Sequence, residues 1–319
     1  MGLGVAGLLL GHALGTTVSI LLGVLAISLV FKIPQKKHFE NLASFAQFSW
    51  LNQMRARTFN KLDIIVLGFF VSSNLVGVYT ISWNIASVLG IFAASLSATL
   101  FPELSKLSAE NRDDDIRELI EKSLAYAGLI HIPGLVGALI LGRRMLRIYG
   151  TEFISGNAVL VILIIAYLVH SYNKQLLTAL EGLNHPEKAF RANLALIVSN
   201  VVLNVALVYS FGWIGAAVAT TLSVCFSFIL GYWYLTNLID FAVPIRMVEK
   251  QIFAAGVMGA VVYLLLKAQQ TLSLIANNVL VLGILISTGA TIYFAVLALL
   301  SSQFRDVVVD NIPNNLLNI

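Results

Sequence analysis

Long apolar runs recur along the whole chain, and they restrict the fold more than any other feature of the sequence. Several exceed 20 residues without a strict alternation of polar and apolar side chains. In lipid, only helices and closed barrels satisfy every backbone hydrogen bond, and barrel strands would need about ten alternating residues. The chain is 58% hydrophobic and 11% charged. We therefore predict an all-α, polytopic membrane helix bundle and exclude a soluble globular enzyme.

The limits of these runs predict about nine transmembrane helices joined mostly by short loops. Residues that end helices fall in the gaps, as at Pro34, Pro102, Gly212 and Pro244. The one longer connection, 102–122, contains three consecutive aspartates at 113–115, which we interpret as the solvated start of a helix. The predicted spans are Leu3–Phe31, Leu42–Ser72, Val76–Phe101, Ser123–Ile148, Phe153–Gly182, Ala192–Phe211, Trp213–Leu238, Ile252–Lys267 and Leu274–Leu300.

The distribution of basic residues predicts the orientation. If the spans alternate, 15 Lys and Arg residues fall on the side of Lys32, Lys36 and Lys37, and 4 fall on the other. The side with the excess is expected to be cytoplasmic. We therefore predict a multi-pass protein of the plasma membrane, with its N-terminus outside and its C-terminus in the cytoplasm.

The sequence lacks the motifs that are typical of several classes of enzyme. There is no Gly-x-x-x-x-Gly-Lys-Ser/Thr loop, no His-Glu-x-x-His pair and no Gly-x-Ser-x-Gly elbow. The single Cys225 cannot form a disulfide framework, and the five histidines lack ligand spacing. Basic residues scattered through apolar spans do not indicate nucleic-acid binding. We expect no cofactor, no metal site, no nucleic-acid partner and no enzymatic activity.

Charged residues within the second span are the first candidate site. Arg55, Arg57, Lys61 and Asp63 lie there, and each would cost about 2.5–3.5 kcal/mol at the centre of a lipid-facing helix. In one placement a continuous helix carries them into a polar cavity. In the other, 42–60 is an interfacial helix and the basic side chains reach the headgroups. Hydropathy alone does not decide between the two.

The fifth span contains a polar stripe with helical spacing. Its members follow at offsets of 3, 4, 7, 11 and 14 from the first and so share one helix face: Tyr167, His170, Ser171, Lys174, Thr178 and Glu181. A lysine in mid-membrane must point inward. The stripe is explained either by a structural ion pair of Lys174 with Glu181 or Asp63, or by a cavity wall suited to an anionic or sugar-bearing substrate.

Several short motifs, in this order, resemble a known family. Residues 61–70 (KLDIIVLGFF), 76–79 (VGVY) and 101–103 (FPE) are similar to segments of the polysaccharide biosynthesis (Wzx-like) oligosaccharide flippases of the MOP (MATE-like) exporter superfamily. The turn 182–186 (GLNHP) and the glycine-rich helix start 212–217 (GWIGAA) also match. The resemblance covers nearly the whole chain, and the overall sequence pattern is most similar to that of archaeal members.

The resemblance implies two six-helix lobes around a central cavity, with two further C-terminal helices. Residues 1–31 then correspond to the last helix of the N-terminal lobe, 32–238 to the C-terminal lobe, and 239–319 to the additional helices and a cytoplasmic tail. A fourteen-helix member would have five helices before the first span. We therefore expect an N-terminally truncated chain, whose cavity is completed by an upstream segment or a second subunit.

The function implied by the resemblance is movement of polyprenyl-(pyro)phosphate-linked oligosaccharide across the plasma membrane, for surface polysaccharide or glycoprotein assembly. By the family match, the expected substrate-binding residues are Arg55, Arg57 and Lys61, with Lys174, His170 and Glu181 facing them. Asp63 matches a family aspartate and is expected to be an ion-pair partner or a coupling site. The expected partners are the lipid-linked oligosaccharide and membrane lipids. The alternatives are a cation-coupled exporter of small molecules from the same superfamily, and a membrane-embedded glycan polymerase or scaffold.

Overall fold

The computed structural model describes residues 4–26, 62–272 and 277–310, in a chain that divides into two compact units, 1–58 and 59–319. The described residues form helices and turns, without a β-strand. In the first unit, helix α1 (Gly4–Ala26) contains no charged residue and lies within the first predicted span. The all-α prediction is confirmed.

The second unit is a helix bundle in which six helical segments of the described part are long and apolar enough to cross a membrane. This confirms the prediction of a polytopic membrane protein. A short 3₁₀ helix, Thr151–Gly156, precedes α6. The helices are α2 (Leu62–Phe70), α3 (Ser73–Ala109), α4 (Asp113–Ala127), α5 (His131–Arg147), α6 (Asn157–Gly182), α7 (Pro186–Thr236), α8 (Ile245–Leu272), α9 (Asn278–Leu300) and α10 (Ser302–Asp310).

Helix α7 is a hairpin of two antiparallel arms, 186–211 and 213–236. The chain reverses at Gly212, which has a φ of 59° that a residue with a Cβ rarely adopts. The Asn200 side chain donates to the Thr220 hydroxyl at 3.2 Å, although 20 residues of straight helix would separate them by about 30 Å. The two arms are therefore the spans predicted as Ala192–Phe211 and Trp213–Leu238.

Helix α3 runs through Pro102 to Ala109, so the predicted end of the third span at Phe101 is wrong. A proline inside a helix removes one backbone hydrogen bond. Tertiary packing outweighs that loss, because Leu104 is fully buried in an apolar cluster with Ile120 and Leu180. The predicted loop 102–122 therefore shrinks to a short turn, and the three aspartates at 113–115 begin α4, as the sequence indicated.

The predicted span Ser123–Ile148 is broken into two helices, α4 and α5. The break leaves carbonyl groups at the end of α4 without partners in their own helix. Side chains of other helices supply donors: the Ser171 hydroxyl donates to the Ala127 carbonyl at 2.6 Å, and Gln251 Nε2 donates to the Ala125 carbonyl at 2.7 Å. The break is thus stabilised by α6 and α8.

Other predicted boundaries differ at the ends of the bundle. Of the span Leu42–Ser72, the structure describes only α2 and the residues after it, so the choice between a continuous and an interfacial helix lies outside the described residues. Helix α8 begins at Ile245, before the predicted Ile252. The short helix α10 was not predicted; its Phe304 is buried, and its ring stacks 6.2 Å from that of Phe294 on α9.

Within the second unit, α6 packs against α3, α5 and both arms of α7. Helices α8 and α9 pack against each other and against α5. Apolar clusters fill the spaces between these helices. The arrangement leaves the polar face of α6 and the middle of the α7 hairpin close to the start of α2.

The α7 hairpin gives a test of the fold. A Cβ at Gly215 would collide with the Leu207 carbonyl oxygen, a backbone atom that cannot move aside. We expect Gly215→Ala to destabilise the protein by about 1–3 kcal/mol. Gly256→Ala on α8 is the matched control, since its Cβ would meet nothing within 4 Å. Thermal unfolding in detergent measures both, and equal midpoints for the two variants would contradict the hairpin packing.

Candidate functional site

The centre of the candidate site is the carboxylate of Asp63, which is 5% exposed. Oδ2 accepts hydrogen bonds from the Tyr79 hydroxyl at 2.7 Å and the Thr220 hydroxyl at 2.6 Å. Oδ1 accepts from Asn204 Nδ2 at 2.7 Å. Short bonds to a carboxylate are among the stronger hydrogen bonds in proteins. The three donors stabilise the buried carboxyl group without any basic residue among the described partners.

Helix α3 and both arms of α7 contribute to this cluster besides α2. Tyr79 comes from α3, Asn204 from the first arm of α7 and Thr220 from the second arm. Asn200 lies one turn before Asn204, and its Nδ2 donates to Thr220. Because the hairpin brings its arms side by side, polar residues far apart in sequence meet at one carboxylate.

Two acceptors next to Asp63 have no hydrogen-bond partner among the residues that the structure describes. They are the Oδ1 atoms of Asn200 and Asn204, whose side chains are almost completely buried. Leaving a buried polar atom unpaired costs about 1–3 kcal/mol. With the carboxylate and the Thr220 hydroxyl, these oxygens form a set of hard ligands of the kind that alkali and alkaline-earth cations prefer. Among the residues described, no three His, Cys, Asp or Glu side chains form a transition-metal cluster.

A cavity of about 50 Å³ adjoins this cluster. Its polar wall includes Asp63, Asn200, Thr220 and His170, and its aromatic wall includes Trp83 and Tyr167. The Trp83 and Tyr167 rings are 5.6 Å apart in an edge-to-face arrangement. A volume of this size holds a few water molecules or one partly hydrated cation.

The structure divides the polar stripe of α6 among three environments. Tyr167 and His170 line the cavity beside Asp63. Ser171 and Thr178 are buried in the bundle, and Ser171 bonds to the broken end of α4. Glu181 is exposed near the end of the helix.

Lys174 lies one helical turn beyond His170 on α6 and is partly exposed. No carboxylate of the described residues lies within 4.0 Å of its amino group, so it forms no ion pair with Asp63 or Glu181 there. Its positive charge is therefore not compensated by any carboxylate among the described residues.

The remaining predicted site residues, Arg55, Arg57 and Lys61, lie outside the described residues. Their role as a substrate-binding group stays a prediction. The structure thus brings Asp63 and His170 to one cavity, places Lys174 nearby on α6, and leaves Glu181 at the exposed end of the same helix.

Sequence reasoning missed the partners of Asp63: Tyr79, Asn200, Asn204 and Thr220. The spacing of Asn200 and Asn204 could have predicted part of the site, because two amides one turn apart in an apolar span must share a buried helix face. Tyr79 was read only as part of a family motif, and Thr220 had no signal of its own. Their meeting with Asp63 depends on the hairpin reversal.

Comparison with known proteins assigns the family. Residues 5–283 match the model of the family described as lipid II flippase MurJ. This match covers most of the chain. The chain belongs to the lipid II flippase MurJ family. Members of this family are therefore the reference for the proposals that follow.

Two relatives come from the archaeon Haloferax volcanii. The probable flippase AglR is 34% identical over 310 residues, which are 96% of this chain and 64% of that protein. The probable low-salt glycan biosynthesis flippase Agl15 is 30% identical over 240 residues, covering 75% of this chain and 51% of that protein. The chain thus spans between half and two thirds of the length of these relatives.

A solved structure of lipid II flippase MurJ, in an inward closed conformation, matches with a TM-score of 0.67 at 18% identity. The match covers 95% of this chain and 62% of the solved chain. At this identity the likeness concerns the fold alone. It supports a polytopic flippase-like helix bundle for this MurJ-family chain.

The Asp63 cluster predicts a clear contrast between two adjacent threonines. Thr220→Val removes a donor to the buried carboxylate, and we expect a loss of about 1.5–3 kcal/mol in the free energy of unfolding. Thr221→Val is the control, because Thr221 donates to the carbonyl of Ala217 in its own helix at 2.8 Å. Chemical unfolding in detergent measures both variants. An equal, small effect would mean that Asp63 does not depend on its hydroxyl partner.

Proposed function

We propose that this chain takes part in moving polyprenyl-(pyro)phosphate-linked oligosaccharide across the plasma membrane for surface polysaccharide or glycoprotein assembly. The observation that carries the proposal is Lys174 on the polar face of a membrane-length helix, a lysine without an ion pair to any described residue. Relatives whose names describe glycan and lipid II flippases support it. The proposal assigns no enzymatic step to the chain.

In this proposal, fixed cations hold the phosphate of the carrier lipid while the hydrocarbon tail remains in the bilayer. Lys174 supplies one such cation, and Arg55, Arg57 and Lys61 supply the others. His170 and Glu181 offer hydrogen-bonding groups to the sugars from the same helix. A cation in a low-dielectric cavity attracts an anion far more strongly than one in water, which offsets part of the cost of drawing a headgroup into the membrane.

Asp63 is proposed as the coupling site. Its carboxylate, the Thr220 hydroxyl and the Asn200 side chain line the cavity, and Asn204 bonds to the same carboxylate, so this cluster could bind a proton or a small cation. Binding would change the hydrogen bonds that join α2, α3 and both arms of α7. A cation bound there would be the transported driving ion rather than a resident cofactor. Binding and release of the ion down its gradient would then drive the rearrangement of these helices.

We also propose a more specific family assignment and a membrane topology for the chain. We place the chain with the Wzx-like flippases of the MOP superfamily, near archaeal members such as its Haloferax volcanii relatives. The N-terminus is proposed to lie outside and the C-terminus in the cytoplasm, from the excess of basic residues on one side. Further helices, from the same polypeptide or a second subunit, would supply the opposite wall of the cavity.

A cation-coupled exporter of small molecules is the second candidate function. The observation that favours it is the buried carboxylate beside amide oxygens that lack described partners. A cation-coupling site of this kind could drive the transport of a small molecule as well as that of a lipid-linked oligosaccharide. The two functions differ in the substrate that Lys174 binds. A lipid-linked anion requires the lysine, whereas a small neutral or cationic cargo does not.

Replacing Lys174 tests the substrate assignment. We expect Lys174→Ala to lower the rate of glycolipid flipping at least about tenfold, because one charged contact contributes about 1.5–3 kcal/mol. Lipid-linked glycan should accumulate on the cytoplasmic leaflet, as it should with Arg57→Ala. Leaflet-specific labelling of the glycan in cells that depend on this gene measures the effect.

Lys267→Ala is the matched control for Lys174→Ala. Lys267 is also a lysine on a membrane-length helix, but its amino group lies 5.7 Å from the centre of the Tyr263 ring, outside the proposed site. Normal flipping in the Lys174 variant, or an equal loss in the Lys267 variant, would contradict the assignment.

Replacing Asn200 tests the coupling role separately. Asn200→Ala removes one unpaired oxygen beside Asp63 and leaves the direct bonds of the carboxylate in place. We expect a weaker dependence of transport on the cation or proton gradient, with glycolipid binding unchanged. Asn173→Ala is the control, since Asn173 is equally buried and its Oδ1 also lacks a described partner, but its amide bonds to Ser227 and does not line the cavity beside Asp63. Flipping in proteoliposomes at graded ion gradients measures it, and an unchanged gradient dependence would refute the coupling role.

A further inference from the structure

Three arginines, at 143, 144 and 147, lie at the end of the bundle where α5 ends and α6 begins. One membrane-length segment ends at Arg147 and the next begins at Thr151, so only residues 148–150 separate them. Because segments of this length cross the hydrocarbon core, the turn between two of them must lie at a membrane surface. The proposed transport function uses none of these arginines.

The exposed face of α5 leads from the acyl region to two of these arginines. Leu139, Arg143 and Arg147 follow one another at intervals of four residues, so they share one helix face, and all three are exposed, Leu139 by 61%. On the packed side of the helix, Leu141 and Leu146 are buried. Leu139 lies about 12 Å before the end of the helix, within the hydrocarbon region. The two arginines therefore lie on the lipid-exposed side of α5, at headgroup level.

Tyrosines at the same end independently mark the membrane boundary. Tyr149 is 51% exposed, and its ring lies 6.2 Å from that of Phe153 in the 3₁₀ helix that leads into α6. Tyr209 is 81% exposed and lies three residues before the α7 reversal at Gly212, which falls at this end because α6 and the first arm of α7 are antiparallel. Tyr and Trp are enriched where membrane helices meet the headgroups.

Cations outnumber carboxylates at this end of the second unit. The described residues that lie within five positions of the helix ends here include four cations and one carboxylate: Arg143, Arg144, Arg147, Lys267 and Glu152. No salt bridge joins any of them to a described residue. The C-terminal dipole of α5 offsets only about half a charge. This end therefore has a net positive charge that favours an anionic ligand.

Arg144 is engaged within the protein, whereas Arg143 and Arg147 are not. Arg144 Nη1 donates to Asn278 Oδ1 at 3.3 Å, and Asn278 Nδ2 donates to the Arg144 carbonyl at 3.1 Å. These bonds join the end of α5 to the start of α9. The side chains of Arg143 and Arg147 form no hydrogen bond or salt bridge with a described residue. Residues four apart on a helix have Cβ atoms about 5–6 Å apart, so both guanidinium groups can reach one phosphate.

We propose that Arg143 and Arg147 together bind the phosphate of an anionic phospholipid. Guanidinium groups bind phosphate oxygens through paired hydrogen bonds, and the acyl chains follow the exposed face of α5 past Leu139. A zwitterionic headgroup presents an ammonium group that the net positive charge repels, so an anionic lipid is preferred. Neither arginine lines the cavity beside Asp63, so the site holds a resident lipid rather than the transported one.

The experiment uses the full chain in detergent with added phosphatidylglycerol, and bound lipid is counted by native mass spectrometry. We expect the double variant Arg143→Gln with Arg147→Gln to retain on the order of tenfold less phosphatidylglycerol. The double variant Arg143→Lys with Arg147→Lys keeps both charges and is expected to retain more than the Gln variant. Glu152→Gln is expected to retain more than the original chain. Thermal unfolding in detergent verifies that each variant is folded.

The double variant Arg246→Gln with Lys250→Gln is the matched control. These residues are also two cations four positions apart on one helix, but the cavity that they line has as many acidic as basic side chains: Glu118, Glu121 and Asp306 against Lys122, Arg246 and Lys250. The control removes the same total charge from the protein as Arg143→Gln with Arg147→Gln. We expect it to retain phosphatidylglycerol like the original chain.

Parallel measurements with phosphatidylcholine and with geranylgeranyl phosphate identify the lipid. The proposal requires that phosphatidylcholine be retained less than phosphatidylglycerol. It is overturned if Arg143→Gln with Arg147→Gln retains as much phosphatidylglycerol as the original chain, if the control variant loses as much, or if both phospholipids are retained equally. Displacement of phosphatidylglycerol by an equal concentration of geranylgeranyl phosphate would assign the site to a carrier lipid and refute a resident phospholipid. Because lipid retention is measured without transport, the outcome is independent of the flippase proposal.

Discussion

A carboxylate buried among membrane helices must be surrounded by donors, and this requirement at Asp63 organises the bundle. An unpaired charge there would cost several kcal/mol, so its three hydrogen bonds are a condition of the fold. The donors come from α3 and from both arms of α7, which ties the start of α2 to the hairpin. The contact between Asp63 and the hairpin also positions Asn200 and Thr220 in the wall of the cavity. A change in the charge of Asp63 would therefore act on several helices at once.

Breaks in the helices are the second structural theme. The hairpin at Gly212 and the interruption between α4 and α5 both leave backbone groups that the chain must satisfy elsewhere. In lipid this is tolerated only when other protein groups supply the bonds. Ser171 and Gln251 do so at the α4–α5 break, and they join α6 and α8 to it. Within the polar stripe of α6, Ser171 thus stabilises the fold, while His170 lines the cavity beside Asp63.

The sequence predicted much of the fold because lipid leaves few choices. Most spans were found within several residues, and the acidic start of α4 was identified from its three aspartates. The end of α3 was missed, because Pro102 is a local signal that the packing of Leu104 overrides. Helix α10 was missed because an amphipathic helix of 9 residues contains no long apolar run. The interruption between α4 and α5 was also not predicted, since neither Gly128 nor Pro133 reduces the hydropathy of the span.

The sequence by itself determined that the chain is a multi-helix membrane protein and that its few charges within apolar spans are costly. Hydropathy and the hydrogen-bonding requirement of the backbone are local properties of the sequence, so their consequences can be predicted without knowledge of the tertiary structure. Only the tertiary structure decided which of these charges have partners: Asp63 meets Tyr79, Asn204 and Thr220, while Lys174 is left without an ion pair among the described residues. That distinction depends on contacts between residues up to 157 positions apart, which form only when the α7 hairpin packs against α2.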